Sequence, residues 1–266
     1  RLVHVGACAM RHVPRYMLRE AGQAGATVHL DGPDSHHLAR VVRRRRGDGV
    51  ELIDGQGGIW DASVVELGPP VTLTLGTRRP GPAATPVTLA VGTTEARRVD
   101  LVVEKATELG VEQVVVMASE RAGRLPADEG WERRSARRVR VAEAAARQSG
   151  RAVLPHLRGV VPFGQVIEEI PDGDGLIIDP RGDVSLTQAL AGQAGRAGST
   201  YLLVGPEAGF SRDELSAARR HGLVAATLGP AVLRTETAAI ASITLALSAW
   251  GAMETHMEPG EAVSPT

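Results

Sequence analysis

Two segments of the sequence join flexible backbone to groups that can bind a ligand, and each follows an apolar run. The first, after Leu202–Val204, reads Gly205-Pro206-Glu207-Ala208-Gly209-Phe210. The second, after Leu228, reads Gly229-Pro230-Ala231-Val232-Leu233-Arg234-Thr235-Glu236-Thr237-Ala238. Glycine permits tight turns that expose backbone N–H and C=O groups, which suit an adenine edge and a ribose. Thr235 is expected to cap the last helix, whose positive N-terminus favours a carboxylate.

Neither segment matches a common phosphate-binding motif. No Gly-Lys-Ser/Thr follows the glycines, so neither segment is a P-loop, and the glycine spacing is not that of a dinucleotide site. Taken alone, each segment is equally consistent with a tight turn and a helix cap that bind nothing.

The elements that must position these segments fall into two parts. In the first part, turn signals separate four short strands, Thr27–Leu30, Val50–Ile53, Ile59–Val65 and Val71–Thr77. One helix is predicted from about Ser35 to Arg45, and strands around a single helix favour a small closed β-barrel. Residues 78–86 contain three prolines and are interpreted as a stiff linker. The predicted domains are therefore 1–78 and 79–266, with the linker at 79–86.

After the linker, strands and helices alternate. The predicted strands are Val87–Val91, Val114–Met117, Leu176–Ile178, Tyr201–Val204 and Val224–Leu228. The predicted helices are Arg97–Leu109, capped by Gly110, then Trp131–Gln148, Leu186–Gln193, Arg212–His221 and Thr235–Met253. This alternation indicates a mostly parallel sheet covered on both faces, in which ligands bind outside the carboxyl ends of the strands.

Composition excludes several functional classes. The 30 basic and 31 acidic residues give a net charge of −1, which argues against a protein that wraps nucleic acid by bulk charge. All basic residues except Lys105 are arginine, which pairs with phosphate, although a GC-rich genome would also encode this excess. Aromatic residues make up only 3% of the chain, too few for platforms that stack bases.

Cysteine and histidine usage argues against a metal site. The lone Cys8 excludes an internal disulfide and fits a reducing compartment, so a cytoplasmic location is expected. His36 and His37 are adjacent and would point about 100° apart on a helix, so no metal is expected. No apolar run approaches the roughly 20 residues of a membrane span, and no signal peptide is expected. The chain begins with Arg, and Met10 is a candidate start.

Several blocks, in order along the chain, are similar to the 16S ribosomal RNA uridine N3-methyltransferase family of the SPOUT superfamily. The blocks in the first part are His36-His37-Leu38, Val41-Val42-Arg43, Gly47-Asp48 and Asp54-Gly55. Those in the middle are Lys105-Ala106-Thr107-Glu108-Leu109-Gly110, Ser119-Glu120-Arg121 and Ala144 through Gln148-Ser149-Gly150-Arg151 with Pro155. The two glycine-containing segments come last, so the resemblance covers nearly the whole chain.

The resemblance implies an α/β fold, with a trefoil-knotted SPOUT methyltransferase domain and a small N-terminal PUA-like β-barrel. It also implies a homodimer that binds S-adenosylmethionine and acts on 16S ribosomal RNA or the small ribosomal subunit. The cofactor-binding residues would be Leu203, Gly205, Gly209, Leu228, Gly229, Val232, Leu233 and Thr235. The RNA-binding residues would be Arg40, Arg43, Arg44, Arg45, Arg97 and Arg121.

The chain departs from the family pattern at three places. Thr93-Thr94 stands where a lysine is usual, Ala208 replaces the fourth residue of Gly-Pro-Glu-Gly-Gly, and Ala231 replaces a basic residue. Arg97 or Arg98 could substitute for the first missing cation. These departures keep two alternatives open: a methyltransferase with another RNA or a small molecule as substrate, and a catalytically silent RNA-binding protein.

Methylation of uracil N3 would require removal of the N3 proton or stabilisation of the resulting imidate. We expect Arg234 to stabilise the imidate and Glu236 to orient the base or accept its proton. The alternative is that Arg234 and Glu236 form a salt bridge that only fixes the loop. Glu207 is expected to accept backbone N–H bonds.

Two arginine-rich stretches could contact RNA. For the run 43–46, phosphate contact is the favoured interpretation. The helix containing Arg133, Arg134, Arg137, Arg138, Arg140 and Arg147 could line the RNA or could be the exposed side of a packed helix.

Overall fold

The computed structural model describes residues 13–92, 95–122, 129–193 and 199–253, with backbone only for 129–133. Cys8, Met10, Thr93-Thr94 and the side chain of Arg133 lie outside the described residues. The chain divides into two compact units, one comprising residues up to Ala83 with Ala146–Leu154, and the other comprising Ala84–Ala145 with the chain from Pro155 onward.

The first unit is built on a five-stranded sheet. Its strands are β1 (Arg15–Met17), β2 (Thr27–Leu30), β3 (Gly49–Ile53), β4 (Gly58–Glu66) and β5 (Val71–Pro80), in the order β1-β3-β4-β5-β2. The alternating pattern of β4 and β5 buries one face of the sheet around Leu52, Val64 and Leu73. The sheet is a curled half-barrel rather than the closed barrel that was predicted.

Two predictions for the first unit need correction. The helix expected at 35–45 is a short α1 (Gly32–His36) followed by a π-helical turn, His37–Val41. The wider turn keeps Leu38 buried but leaves Val41 61% exposed, so the two residues do not share one buried face. The expected linker is also shorter, because β5 continues to Pro80 by pairing with β4, and the next strand begins at Thr85.

Ala146–Leu154 belongs to the first unit through backbone hydrogen bonds. The Gly57 N–H donates to the Ala152 carbonyl at 2.9 Å, and the Leu154 N–H donates to the Gly55 carbonyl at 3.1 Å. The sequence predicts this segment, which includes the Gln148-Ser149-Gly150-Arg151 block, as part of the second domain.

The second unit contains a seven-stranded parallel sheet covered by helices. Its strands are β6 (Thr85–Gly92), β7 (Val111–Ala118), β8 (His156–Pro162), β9 (Gly175–Ile178), β10 (Val184–Ser185), β11 (Thr200–Val204) and β12 (Val224–Thr227). Its helices are α2 (Ala96–Leu109), α3 (Glu129–Ser149), which continues into the first unit, α4 (Phe163–Glu168), α5 (Leu186–Gln193), α6 (Arg212–Arg220) and α7 (Thr235–Ala249). The prediction of a parallel α/β sheet is confirmed; β1, β8, β10 and α4 were not predicted.

The strand order explains where a site can form. The order is β10-β12-β9-β11-β6-β7-β8, so β9 lies between β11 and β12. The carboxyl ends of these three neighbours therefore meet at one edge of the sheet. Fully apolar runs such as Leu202–Val204 form these strands because both faces are buried. Within the described ranges, no helix is both long and apolar enough to cross a bilayer.

Candidate functional site

A pocket of about 540 Å³, including its open mouth, lies at the ends of β9, β11 and β12. It is lined by Ile178, Asp179, Pro180, Val204, Gly205, Pro206, Glu207, Gly209, Phe210, Thr227, Leu228, Ala231, Val232, Leu233, Thr235 and Ala238. Both glycine-containing segments identified from the sequence therefore line one pocket. A third segment, Ile178–Pro180 after β9, completes it and was missed, although the strand-end rule pointed to it.

The loop after β11 is held by close contacts. A Cβ on Gly92 would lie 2.4 Å from the Pro206 nitrogen, so only glycine at position 92 leaves room for this loop. Gly209 has a φ of 69°, which favours glycine, and the fully buried Phe210 ring packs on Phe163 with 5.8 Å between ring centroids. These contacts hold the backbone of the loop in place.

The segment after β12 turns at Gly229, whose φ is 109°. The Thr227 hydroxyl donates to the Gly229 carbonyl at 3.0 Å and accepts from the Gly229 N–H at 3.2 Å. Val232 is 80% exposed at the pocket wall, which is unusual for a valine and leaves an apolar side chain open to a ligand.

Thr235 is not the N-cap of α7, so that prediction was wrong. The N-cap is Arg234, and the Thr235 hydroxyl donates to the Gly205 carbonyl at 3.1 Å. Thr235 is only 3% exposed and joins the two pocket segments. The buried Gly205 carbonyl needs a hydrogen bond, and this requirement outweighs the capping preference of threonine.

Six of the eight residues predicted to bind a cofactor line the pocket: Gly205, Gly209, Leu228, Val232, Leu233 and Thr235. The other two, Leu203 and Gly229, are not among the lining residues. Leu203 is fully buried in the core of the sheet, and Gly229 forms the turn described above.

Arg98 on α2 connects two acidic residues near the pocket. Its guanidinium Nη1 lies 2.5 Å from Glu207 Oε1 and 3.7 Å from Glu236 Oε2. Glu236 Oε2 is buried and, within the part of the chain that the structure describes, has no hydrogen-bond partner. Arg234 is exposed and, among the described residues, forms no ion pair, so the Arg234–Glu236 salt bridge considered above is absent. Glu207, for which backbone bonds were expected, pairs with Arg98.

The Ser119-Glu120-Arg121 block is held against the pocket loop. Buried Glu214 accepts hydrogen bonds from the Ser119 hydroxyl at 3.0 Å and from the Glu120 N–H at 2.9 Å. Arg121 then donates to the Ala208 carbonyl at 3.3 Å. Arg121 therefore flanks the glycine-containing loop, while its exposed side chain can meet a further ligand.

The turn after β9 contains a buried carboxylate. Asp179 is 2% exposed and accepts three hydrogen bonds from Arg181, whose Nη2 also donates to the Phe210 carbonyl at 2.9 Å. Burial raises the pKa of the Asp179 carboxyl, but the hydrogen bonds and charge of Arg181 outweigh burial and hold this pKa below its usual value.

The other predicted RNA-binding residues are largely exposed. Arg40, Arg43 and Arg45 are exposed and Arg44 is half-buried, all in the first unit; Arg97 is exposed at the start of α2. Arg43 has a φ of 55°, in the left-handed region that favours glycine. On α3, Arg137 and buried Arg138 pair with Asp100 at 2.7 and 3.7 Å, which gives these two arginines a packing role. No group of metal-ligating side chains occurs within the described ranges.

Comparison with known proteins defines the class. The model of an RNA methyltransferase domain matches residues 81–247, and that of an RNA methyltransferase PUA domain matches residues 30–70. The chain therefore belongs to this SPOUT family of RNA methyltransferases.

The relatives bear a more particular name. Ribosomal RNA small subunit methyltransferase E of Mycobacterium bovis is 32% identical over 88% of this chain and 92% of its own length. The protein of that name from Synechocystis is 31% identical over 80% and 70%. The structure of the Neisseria gonorrhoeae protein of that name, bound to S-adenosyl methionine, is 27% identical, covers 89% of this chain and 98% of its own, and has a TM-score of 0.77.

Proposed function

We propose that the protein transfers a methyl group from S-adenosylmethionine to N3 of a uridine in 16S ribosomal RNA. The observation that carries this proposal is the pocket at the joined ends of β9, β11 and β12, where parallel sheets bind their ligands. The names of the relatives support a small-subunit ribosomal RNA as substrate, and the cofactor in the Neisseria structure supports the methyl donor.

The pocket residues fit this cofactor. Leu228, Leu233 and Phe210 offer apolar surface for a purine ring, while the turns at Gly205 and Gly209 bring backbone polar groups to the wall. Leu203 and Gly229 would contribute indirectly, by holding these turns in place. S-adenosylmethionine would supply an electrophilic methyl group, and deprotonation and orientation of the base must come from the chain.

Glu236 is the proposed proton acceptor for uracil N3–H. Its buried Oε2 has no hydrogen-bond donor among the residues that the structure describes, and leaving such a buried acceptor unused costs about 1–3 kcal/mol. Arg234, exposed and next in sequence to Thr235, is proposed to stabilise the negative charge that develops on the uracil carbonyl oxygens.

The proposed RNA contacts are Arg40, Arg43, Arg44 and Arg45 in the first unit and Arg97 and Arg121 in the second. Their guanidinium groups would bind phosphates and so position the RNA without reading its sequence. Arg97 is the proposed replacement for the usual lysine near Thr93-Thr94. We propose that the substrate is 16S ribosomal RNA within the small subunit.

We also propose a homodimer. Large apolar side chains at the end of α7 and on α2 remain partly exposed, including Leu101 at 36%, Trp250 at 37% and Met253 at 53%. A dimer would cover such surface. Light scattering at micromolar concentration tests this, and a monomeric mass would contradict it.

The test of the catalytic assignment compares wild type with Arg234→Ala. Incorporation of labelled methyl into purified small subunits gives turnover, and calorimetry gives the affinity for S-adenosylmethionine. We expect turnover to fall while cofactor affinity stays within twofold. Unchanged turnover would remove the catalytic role of Arg234. Methylation of a different RNA, or no binding of the cofactor, would overturn the proposed substrate or the proposed enzyme, respectively.

A further inference from the structure

The turn after β9 is anchored to the neighbouring strand by its backbone. The Asp179 N–H donates to the Ala226 carbonyl at 3.0 Å, and the Asp183 N–H donates to the Ala225 carbonyl at 2.9 Å. A Cβ on Gly182 would lie 2.4 Å from the Ala226 carbonyl carbon, so the turn is pressed directly against β12. This anchoring fixes one wall of the pocket.

Arg181 joins that wall to the loop on the other side. Its Nε donates to Asp179 Oδ1 at 2.7 Å and its Nη2 donates to Asp179 Oδ2 at 2.8 Å, a two-pronged contact that only a guanidinium provides. The same Nη2 donates to the Phe210 carbonyl at 2.9 Å. One side chain therefore links the end of β9 to the loop after β11.

The loop that Arg181 holds carries much of the pocket lining. Phe210 lines the pocket itself, and its ring lies 3.1 Å from where a Cβ on Gly205 would stand, so the ring packs closely against the turn at Gly205. Arg121 holds the same loop at the Ala208 carbonyl. The Phe210 end is thus connected to the buried Asp179 through Arg181.

We propose that Arg181 is a positioning residue for the cofactor: by holding the Phe210 carbonyl and Asp179 together, it keeps the pocket in its binding-competent shape. The inference rests on the proposed binding of S-adenosylmethionine. A preformed pocket binds more tightly because ordering the loop does not oppose binding. Arg181 then acts on affinity through the loop and not through contact with the reacting atoms.

Three variants and one control test this role. Arg181→Met removes every donor, and Arg181→Lys keeps one cation, which cannot hold Asp179 and Phe210 with the same geometry. The double variant Asp179→Asn/Arg181→Met also removes the buried Asp179 carboxylate charge, which Arg181→Met alone would leave unpaired. In this variant the Phe210 carbonyl still lacks its hydrogen bond from residue 181. The control is Arg219→Gln, which removes the exposed pair between Arg219 and Asp183, 2.8 Å apart, close to the same turn.

The measurement is calorimetric titration with S-adenosylmethionine and with S-adenosylhomocysteine, alongside the melting temperature of the ligand-free protein. We expect the dissociation constants of both ligands to rise tenfold or more in Arg181→Met and in the double variant, and less in Arg181→Lys. The control should stay within twofold of wild type. The double variant folds even if the single one does not, because no charge is left buried without a partner.

The outcomes separate the two proposals. If wild type fails to bind S-adenosylmethionine, the proposed function fails. If wild type binds and the double variant binds within twofold of it, the positioning role of Arg181 is overturned, and the residue only neutralises Asp179. A lower melting temperature of the variants with unchanged affinity for S-adenosylmethionine would also overturn it, because a residue that only stabilises the fold gives that result.

Discussion

Arginine has different roles in two regions of the molecule. Around the pocket, Arg98, Arg121 and Arg181 each bind a carboxylate or a carbonyl oxygen at defined distances. In the segment 40–46 of the first unit, the arginines are mostly exposed, and Arg43 has a positive φ. The arginines around the pocket therefore help to hold its loops, whereas those of the segment 40–46 are proposed to present positive charge to the phosphate backbone of RNA.

Substitution of Glu236 is expected to have the largest effect, and it tests the chemistry proposed at the pocket. Glu236→Gln keeps the shape of the side chain but removes its ability to accept a proton. We expect turnover to fall by about 10²–10⁴-fold, as is usual for loss of a general base. Cofactor affinity should change little, because Glu236 does not line the pocket. Single-turnover methylation and calorimetry measure the two quantities; turnover within threefold of wild type would exclude Glu236 as the base.

The next largest effect is expected at Gly92, where a substitution tests how closely the loop after β11 is packed. Gly92→Ala introduces a Cβ 2.4 Å from the Pro206 nitrogen, so the loop must shift. We expect about 1–3 kcal/mol of lost stability and a cofactor affinity at least tenfold weaker. Gly164→Ala is the matched control, because its Cβ meets nothing within 4 Å. Denaturant unfolding and calorimetry report both changes, and equal behaviour of the two variants would show that the loop is not tightly fitted.

Substitutions in the segment 40–46 are expected to weaken RNA binding and to leave cofactor binding unchanged. The triple variant Arg40→Ala/Arg43→Ala/Arg45→Ala removes three exposed cations from the first unit. We expect RNA affinity to weaken and the slope of log affinity against log salt to become shallower by about one per lost phosphate contact. Filter binding over a salt series tests this, with cofactor affinity as the internal control. An unchanged slope would mean that these arginines do not contact phosphate.

The smallest effect concerns the backbone of that region. Arg43→Gly relieves the left-handed conformation at φ 55°, which costs a residue with a Cβ about 1 kcal/mol. The free energy of unfolding should rise slightly or stay level, while RNA affinity falls. Arg45→Gly, at a position without positive φ, should lower stability through added chain entropy. If both variants lose equal stability, the strain at Arg43 is absent in solution.

Much of the second unit was predictable from sequence, because buried parallel strands are continuous apolar runs followed by glycine. Leu202–Val204 and the segment after Leu228 could therefore be placed at one end of a sheet. Asp179 and Arg181 are only two residues apart, but the contact of Arg181 with the Phe210 carbonyl, twenty-nine residues away, depends on β9 lying beside β11, which the sequence does not show. The hydroxyl of Thr235 was misassigned for a similar reason, because its partner, the Gly205 carbonyl, is thirty residues away.

In the first unit, periodicity predicted a regular helix at 35–45, but the chain forms a π-helical turn there. Leu38 is fully buried, and the hydroxyl of Tyr16 hydrogen-bonds His37 Nδ1 at 2.9 Å. Contacts like these, between residues far apart in sequence, decide the local helix geometry, and a periodic pattern does not contain them.

Mass mapping of methylated nucleosides tests directly whether this protein methylates N3 of a uridine in 16S ribosomal RNA. Ribosomal RNA from cells with and without this protein would be digested and each methylated nucleoside located. We expect one 3-methyluridine in 16S ribosomal RNA that disappears without the protein and returns with wild type but not with Glu236→Gln. An identical methylation map in the presence and absence of the protein would contradict it.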